Sequence, residues 1–362
     1  MTTVNPPLVA AQHNVYCIGM SASAQSMGAQ VLPPIRLGPM QIDAPAILAP
    51  MSGITDIGMR RVAARFGAGL VISEMVAASF YLAADEETRL RAEGEGLPIH
   101  VVQIAGRDPA AMAEAARLAE GAGAHAVDIN MGCPAKRVVG GYAGSALMRE
   151  PELAVALARE TVAAVKIPVS VKMRLGWDAT DLNAPELARR LEAEGVALIT
   201  VHGRTRQQFY KGQADWTAIR AVREAIVVPL VANGDCDGTA SARAMAVASG
   251  ADAVMIGRAA VGRPWLVGEV GAALAGRTWH EPSENEKTEA ALDHYASLLS
   301  TFGKTQGVRH ARKHLAAYAD GAAASGAGLP RALRARLVTT TDADEAAALL
   351  ARCWAEQAEE AA

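Results

Sequence analysis

The sequence has few cysteines and no long apolar run. Its four cysteines lie far apart, without the CxxC or Cys/His spacing of a zinc site and without the density of a disulfide framework. No uninterrupted apolar run reaches the roughly 18 residues of a membrane span, and residues 1–30 lack the charged start and compact apolar block of a secretory signal. We therefore expect a protein of the reducing cytoplasm that holds no metal and has no membrane partner.

A GxGxxG motif behind a strand is also missing, which leaves a Rossmann dinucleotide site unsupported. What the chain does have is length and apolar content, because 362 residues, 51% of them apolar, can form one large domain with an appendage. The formal net charge is -3, yet the stretch from Lys304 to Arg336 contains seven basic residues and a single acid, Asp320. Such a segment can be a solvated helix face or a nucleic-acid surface, and its charge alone does not decide between them.

Eight short apolar, β-branched runs alternate with helix-patterned segments rich in alanine, leucine and glutamate. Nearly continuous apolar strands that alternate with helices predict a parallel sheet covered on both faces. Eight of them predict an α/β fold built as a closed (β/α)8 TIM barrel, with a doubly wound open sheet as the structural alternative. The runs begin at Ala46, Leu70, Ile99, Ala126, Val169, Ala197, Pro229 and Ala253.

Polar side chains follow these runs at their carboxyl ends, where a barrel builds its active site. Taken alone, His202 could be an ordinary rim histidine and Asn233 a turn residue, but the joint placement of so many polar groups favours a site. The positions are Met51, Ser52, Glu74, Gln103, Asn130, Lys172, Arg174, His202, Asn233, Asp235, Gly257 and Arg258.

The last two runs end in NGDCDG and MIGRAAVGRPW. Glycines that bring backbone N–H groups close, followed by an arginine, are typical of the phosphate site after strands seven and eight of a barrel. This predicts a phosphorylated cofactor or substrate. Gln103, Lys172 and Asn233, on the third, fifth and seventh strands, suit the polar edges of a flat heteroaromatic ring, although their spacing does not identify the ring.

Eight motifs, in order, resemble the tRNA-dihydrouridine synthases and most of all their bacterial B subfamily. The resemblance runs from about Pro33 to Tyr318. It implies an FMN enzyme that reduces uridine to 5,6-dihydrouridine in the D-loop of tRNA, with position seventeen favoured and NADPH or NADH as reductant. The motifs are APMSGITD from Ala49, SEM from Ser73, QIAGRDP from Gln103, DINMGCPAKRVVGGYAGSALM from Asp128, VKMRLGWD from Val171, ITVHGRTRQQFYKGQADW from Ile199, VANGD from Val231 and IGRAAVGRPW from Ile256.

The resemblance implies a barrel followed by a helical domain that binds the RNA, and the composition of the two ends of the chain completes the domain order. We expect a disordered extension at 1–32, an FMN-binding TIM barrel at 33–283, a small helical tRNA-binding domain at 284–345 and an acidic tail at 346–362. A uridine packed in the tRNA elbow must be turned out to reach a barrel mouth, and contacts from the basic segment to phosphates would offset that cost. We expect a monomer.

Residue roles carry over by position. The resemblance makes Cys133 the catalytic residue and places substrate contacts at Asn130, Arg174 and Lys313, although Arg174 could instead pair with a barrel carboxylate. Flavin contacts fall on Pro50, Met51, Ser52, Gln103, Lys172, His202, Asn233, Gly234, Asp235, Gly257 and Arg258.

The chemistry explains a thiol at the end of a core strand. Hydride added to uracil C6 leaves an enolate that needs a proton at C5, and a free thiol, mostly protonated near neutral pH, can donate it. The alternative for Cys133 is a buried cysteine that acts as a small apolar group. Two other functions remain open, namely an FMN barrel oxidoreductase acting on a free pyrimidine and a barrel without flavin that only binds RNA.

Overall fold

The computed structural model describes residues 31–141 and 143–354. The described residues form one compact unit. Most of the extension expected at 1–32 lies outside the described residues, but the boundary at 32 is wrong. Leu32 is buried, and its N–H donates to the carbonyl of Leu274 at 2.8 Å.

Eight parallel strands and one short extension build the barrel. They are β3 (Ala46–Leu48), β4 (Leu70–Val71), β5 (Val76–Ala77), β6 (Val101–Ala105), β7 (Ala126–Met131), β8 (Val169–Arg174), β9 (Leu198–His202), β10 (Leu230–Asn233) and β11 (Ala253–Ile256). The second predicted run gives β4, and β5 continues it along β6. The predicted TIM barrel is confirmed, because the sheet order β4-β3-β11-β10-β9-β8-β7-β6-β5 is completed by a parallel bridge between Ile72, after β4, and Val101, in β6.

A hairpin of β1 (Ile35–Leu37) and β2 (Met40–Ile42) precedes the barrel and shares its inner core. Its apolar side chains join residues at the amino ends of the strands, such as Val101, Ala126 and Ala253. The hairpin therefore closes the amino end of the barrel, and only the carboxyl end is left for a site.

Helices cover the outside of the barrel. The helix predicted after Asp108 is confirmed, since the Asp108 carboxylate accepts from the N–H of Ala111 and a proline occupies the first turn. The helices are α1 (Ile57–Arg65), α2 (Ala78–Leu82), α3 (Glu86–Ala92), α4 (Pro109–Gly121), α5 (Lys136–Gly140), α6 (Pro151–Ala164), α7 (Ala184–Ala193), α8 (Trp216–Ala225), α9 (Thr239–Ser249) and α10 (Leu266–Leu274), with 3-10 turns at Gly144–Arg149 and Arg258–Ala260.

Three helices follow the barrel, namely α11 (Glu284–Ala324), α12 (Arg331–Thr339) and α13 (Ala343–Ala351). Helix α11 breaks at Gly303, whose φ of 72° interrupts the helical backbone. Their shared core includes Trp265 and Val62 of the barrel, so the helical segment packs directly on it.

The predicted boundary at 346 between a helical domain and an acidic tail is wrong. Leu349, Leu350 and Trp354 are buried in the helical core, and α13 runs through the boundary. The acidic composition hid an amphipathic helix, in which Leu349 and Leu350 face inward while Asp344 is exposed and Glu345 is half-buried. Among the described residues, no helix is both long enough and apolar enough to span a membrane.

Candidate active site

Cys133 lies on the loop that follows β7, and a side chain of β7 holds that loop. The Oδ1 of Asn130 accepts from the N–H of Gly132 at 3.1 Å and from the N–H of Cys133 at 2.9 Å. The carbonyl of Cys133 accepts from both the N–H and the hydroxyl of Ser145, at 3.0 and 2.9 Å. The thiol is thus carried by a backbone with fixed partners on both sides.

A buried chain of hydrogen bonds supports Asn130 from below. Its Nδ2 donates to Oε1 of Gln103 at 2.8 Å, and Nε2 of Gln103 donates to Asp128 at 2.7 Å. Asp128 also accepts from the hydroxyl of Ser170 at 2.6 Å. Because a carboxylate can only accept, it sets the orientation of the Gln103 amide, and Gln103 in turn sets that of Asn130. Burial raises the pKa of Asp128.

Lys172 points to the barrel mouth from β8. Its ammonium donates to Oδ1 of Asn233 at 3.0 Å, and Nδ2 of Asn233 donates to the carbonyl of Met255 at 2.9 Å. Burial lowers the pKa of Lys172 to about 8, and the nearby Arg174 acts in the same direction. The ammonium of Lys172 is therefore weakly solvated and lies beside Cys133. A thiolate at Cys133 would stabilise the positive charge of Lys172.

Arg174 is buried and bound by backbone carbonyls. Its Nε donates to the carbonyl of Gly132 at 2.8 Å, and one terminal nitrogen donates to the carbonyls of Thr205 and Phe209 at 2.9 and 2.8 Å. The alternative of a barrel carboxylate as its partner is wrong. Burial lowers its pKa to about 10. Arg174 joins the cysteine loop to the loop after β9, and its guanidinium lies 5.6 Å from the ring centre of Tyr210.

His202 ends β9 next to a buried arginine. Burial, together with Lys172 and Arg174, holds the pKa of His202 well below its ordinary value, so the ring is neutral. Its Nε2 lies 3.2 Å from a terminal nitrogen of Arg204, which can only donate. The proton of the neutral imidazole is therefore on Nδ1.

Arg204 makes a bidentate ion pair with Asp235, at 3.0 and 2.6 Å. Asp235 also accepts from the N–H of Ala214 and from Arg258 at 3.2 Å. Its own backbone has a φ of 59°, which a non-glycine residue rarely adopts. Asp235 thus orients two arginines, while the Arg258 side chain stays 69% exposed.

Loop 50–53 after β3 carries the next predicted contacts, Pro50, Met51 and Ser52. The N–H of Met51 donates to the hydroxyl of Thr55 at 2.9 Å, and the N–H of Gly53 donates to Glu74, a buried carboxyl whose pKa is raised by burial. A Cβ placed on Gly53 would lie 3.3 Å from Nζ of Lys313. The structure therefore brings Lys313, from α11, to the barrel mouth as well.

A cavity of about 600 Å³ opens beside this loop. Its wall includes Ser52, Met75, Ala105, Cys133 and Val138, so it lies over the loops after the second, third and fourth barrel strands. Another cavity, of about 490 Å³, is lined by His100 and His125, which precede β6 and β7. None of the predicted site residues lines that second cavity, and we assign it no role in the chemistry.

Comparison with known proteins decides the family. The family model for dihydrouridine synthases (Dus) matches residues 47–359, most of the chain. This chain belongs to the dihydrouridine synthase family. The resemblance found in the sequence motifs is confirmed, and with it the prediction of an oxidoreductase.

Relatives of this dihydrouridine synthase family member are similar over nearly its whole length. The probable tRNA-dihydrouridine synthase of Rhodobacter capsulatus is 50% identical over 327 residues, 89% of this chain and 98% of the relative. The tRNA-dihydrouridine synthase B of Xanthomonas axonopodis pv. citri is 46% identical over 288 residues, 79% of this chain and 86% of that protein. Histamine dehydrogenase from Rhizobium sp. 4-9 aligns with a TM-score of 0.52 at 12% identity, over 74% of this chain and 50% of that one, and shares the fold alone.

Two site features of this dihydrouridine synthase family member escape sequence reasoning. Arg204 stands in the HGRTR stretch, directly after His202 and Gly203, but nothing in its spacing shows that it is 2% exposed and paired with Asp235. Asp128 reads as part of an apolar strand, and its role under Gln103 depends on strand register, which pairs those two residues across β6 and β7.

Proposed function

We propose that this chain reduces uridine to 5,6-dihydrouridine in tRNA, with FMN as its flavin and a reduced nicotinamide, NADPH or NADH, as electron source. The observation that carries the proposal is the position of Cys133. Its loop is held by Asn130 on the wall of a cavity at the barrel mouth, beside the half-buried cation of Lys172 and the buried cation of Arg174. We also infer a cytoplasmic monomer that needs no metal.

The residues present fit an FMN. The ammonium of Lys172 can donate three hydrogen bonds, and within the described residues one is recorded, to Asn233. A half-buried cation with spare donors suits the electron-rich edge of a flavin ring, together with Gln103 and His202. When bound, FMN supplies the hydride that saturation of the uracil C5=C6 bond requires.

The phosphate of FMN would be held by Arg258 and the backbone at Gly234 and Gly257. Gly234 has a φ of 121°, and a Cβ there would lie 2.6 Å from the Cβ of Ala214, so only glycine allows this backbone approach. Asp235 holds the Arg258 guanidinium at one oxygen and leaves its other N–H groups for an anion.

In this proposal Cys133 protonates C5 of the uracil. The thiol is small and lines a cavity with a mostly apolar wall, and the Asn130 carboxamide fixes its backbone. A positioned general acid contributes roughly 10² to 10⁴ in rate, or about 3 to 5 kcal/mol of barrier. The thiolate left after transfer would be stabilised by Lys172 and Arg174, because the electrostatic interaction with Cys133 raises the pKa of both groups.

The helical segment would bind tRNA through a smaller basic surface than the sequence suggests. Of the seven basic residues between Lys304 and Arg336, three lie close to acids, since Arg334 pairs with Asp320 at 2.6 Å, Arg336 contacts Glu345, and Lys304 lies 4.0 Å from Asp344. For the others, no ion pair is recorded within residues 31–141 and 143–354. These residues are Arg309, Arg312, Lys313 and Arg331.

Dihydrouridine mapping in tRNA tests this function. Cells that lack the gene should lose dihydrouridine at one or more tRNA positions, and the wild-type gene should restore it. Purified protein should carry a visible flavin spectrum and act on tRNA but not on free uracil or uridine. Turnover of a free pyrimidine at a comparable rate would favour the alternative barrel oxidoreductase, and flavin-free protein that binds tRNA would contradict catalysis.

A further inference from the structure

Three buried side chains meet where α1 of the barrel contacts α11. Nε2 of His294 lies 3.1 Å from Oδ2 of Asp56, and Nε2 of His314 lies 3.5 Å from the same oxygen. The two imidazole rings are 4.5 Å apart, and Nδ1 of His294 lies 2.9 Å from the hydroxyl of Tyr318. Asp56 is 9% exposed and the two histidines are 1% and 2% exposed, so this cluster is sealed from water. We call it the clasp.

One end of the clasp belongs to the loop that carries the predicted flavin contacts. Asp56 caps α1 by accepting from the N–H of Met59 at 3.1 Å, and it follows Thr55, whose hydroxyl accepts from the N–H of Met51. Helix α11 approaches this turn closely, since a Cβ on Gly58 would lie 2.9 Å from the His294 ring. Glycine at position 58 therefore lets the clasp close.

The other end of the clasp belongs to the helix that carries Lys313. His314 is the next residue in α11, and the Nζ of Lys313 approaches Gly53, in the same loop that leads to Asp56. His314 is buried while Lys313 is exposed, so the helix turns one side chain into the clasp and its neighbour toward the mouth. A rotation or shift of α11 that breaks the clasp would therefore change the position of Lys313 relative to loop 50–53.

Charge explains why the three groups remain together. Burial alone would raise the pKa of Asp56, but the two histidines and the Met59 N–H outweigh it and hold that pKa below its ordinary value. Burial, with His294 beside it, lowers the pKa of His314 to about 3, so this ring is neutral near pH 7. The anion at Asp56 is therefore the hydrogen-bond partner of His294, and the neutral ring of His314 lies 3.5 Å from the same oxygen.

We propose that Asp56, His294 and His314 are positioning residues that fix α11 on the barrel and thereby set Lys313 at the mouth for tRNA. This inference rests on the proposed function, because it takes the tRNA substrate as the molecule that Lys313 contacts. The clasp acts through Lys313, so its loss should affect tRNA binding more than flavin binding.

A bound metal ion is the competing explanation of the same geometry. Separations of 3.1 and 3.5 Å resemble the edges of a tetrahedron around an ion with bonds of about 2.0–2.1 Å. Within the described residues, Nε2 of His314 is buried and makes no hydrogen bond. Against an ion, the hydrogen bond from His294 to Asp56 needs a proton on the nitrogen that an ion would take. Metal analysis of the purified protein separates the two.

The test compares His314→Ala, Lys313→Ala and the double variant with wild type. The measurements are flavin content, kcat and KM with tRNA, and the slope of log Kd for tRNA against log salt. We expect Lys313→Ala to reduce the magnitude of that slope by about one, which corresponds to the loss of one phosphate contact. His314→Ala should reduce the slope by the same amount and retain its flavin content. The double variant should lose no more than about either single variant, because both changes remove the same contact.

Three further variants serve as controls. Asp342→Ala removes an exposed cap from α13, where the carboxylate accepts from the N–H groups of Asp344 and Glu345, and should leave the salt slope unchanged. Asp56→Asn keeps both the cap and an acceptor for His294 but removes the negative charge, and should retain more of the tRNA affinity than Asp56→Ala.

Three results would overturn the clasp. They are additive losses in the double variant, a salt slope in His314→Ala equal to that of wild type, and one equivalent of metal that disappears with His314→Ala. Wild-type protein that neither binds nor modifies tRNA would contradict the proposed function instead, so the two failures are distinguishable.

Discussion

Replacement of Asn130 by aspartate tests the hydrogen-bond chain under the cysteine loop. The change keeps the shape of the side chain and the oxygen that accepts from Gly132 and Cys133. It removes the N–H that donates to Gln103 at 2.8 Å, so two oxygens would face each other. Gln103 cannot relieve this by rotating its amide, because its oxygen would then face Asp128, which also only accepts.

The introduced carboxyl can restore the chain only by keeping a proton. An unfolded aspartate has a pKa of about 3.9, so holding that proton at pH 7 costs at most about 4 kcal/mol, at about 1.4 kcal/mol per pH unit. At pH 5 the same cost falls to about 1.5 kcal/mol. Since the folded variant binds the proton and the unfolded variant does not, its deficit relative to wild type shrinks as pH falls.

Urea unfolding of wild type and Asn130→Asp at pH 7 and pH 5 measures this difference. The matched control is Asn285→Asp, at an exposed position in the first turn of α11, where we expect a change within about 0.5 kcal/mol and no pH dependence. An Asn130→Asp deficit that is the same at both pH values, or close to zero at pH 7, would refute the orientation we assign to Gln103 and Asn130.

Four other predictions follow from the site and its surroundings. Cys133→Ala should keep its flavin but lose at least about 100-fold in uridine reduction; near-normal turnover would remove the thiol from the mechanism. Arg258→Ala should purify with little flavin, whereas a full visible flavin spectrum would contradict the phosphate assignment. Because the pKa of His314 is lowered to about 3 in the folded state, the unfolded chain binds a proton at this histidine at a higher pH than the folded chain does. The free energy of unfolding should therefore fall as pH drops from about 6.5 toward 3, by about 2 kcal/mol at pH 5. In urea unfolding, His314→Gln should lack this part of the pH dependence. Binding of tRNA should weaken steeply with salt while flavin occupancy does not, and a salt-independent Kd would argue against the basic surface.

The arginines of the site show how similar residues acquire different roles. Arg174 and Arg204 are 1% and 2% exposed, and their N–H groups donate to backbone carbonyls or to Asp235. Arg258 remains exposed with one carboxylate contact. A buried guanidinium needs most of its donors satisfied by protein, so the first two fix loops and the third is available for a phosphate.

Sequence pattern alone predicted the barrel and the end of it that carries the site. Eight apolar runs between amphipathic helices can bury both faces only in a parallel sheet, and the residues that must stay polar then collect at the strand ends. For the same reason the positions of Cys133, Lys172 and Asn233 at the carboxyl ends of their strands follow from the pattern of the chain. The motifs identified the family because they preserve these positions in order.

Only the tertiary structure decided which partners those residues have. The opposition of Gln103 to Asp128 depends on strand register, the pairing of Arg204 with Asp235 depends on two loops that meet, and the burial of Leu349 and Trp354 depends on how α13 packs. His294 and His314 lie about 240 and 260 residues after Asp56 in the chain, and no local pattern relates them. Hydrogen bonds and ion pairs act over a few ångströms, so contacts between distant segments exist only once the chain has folded.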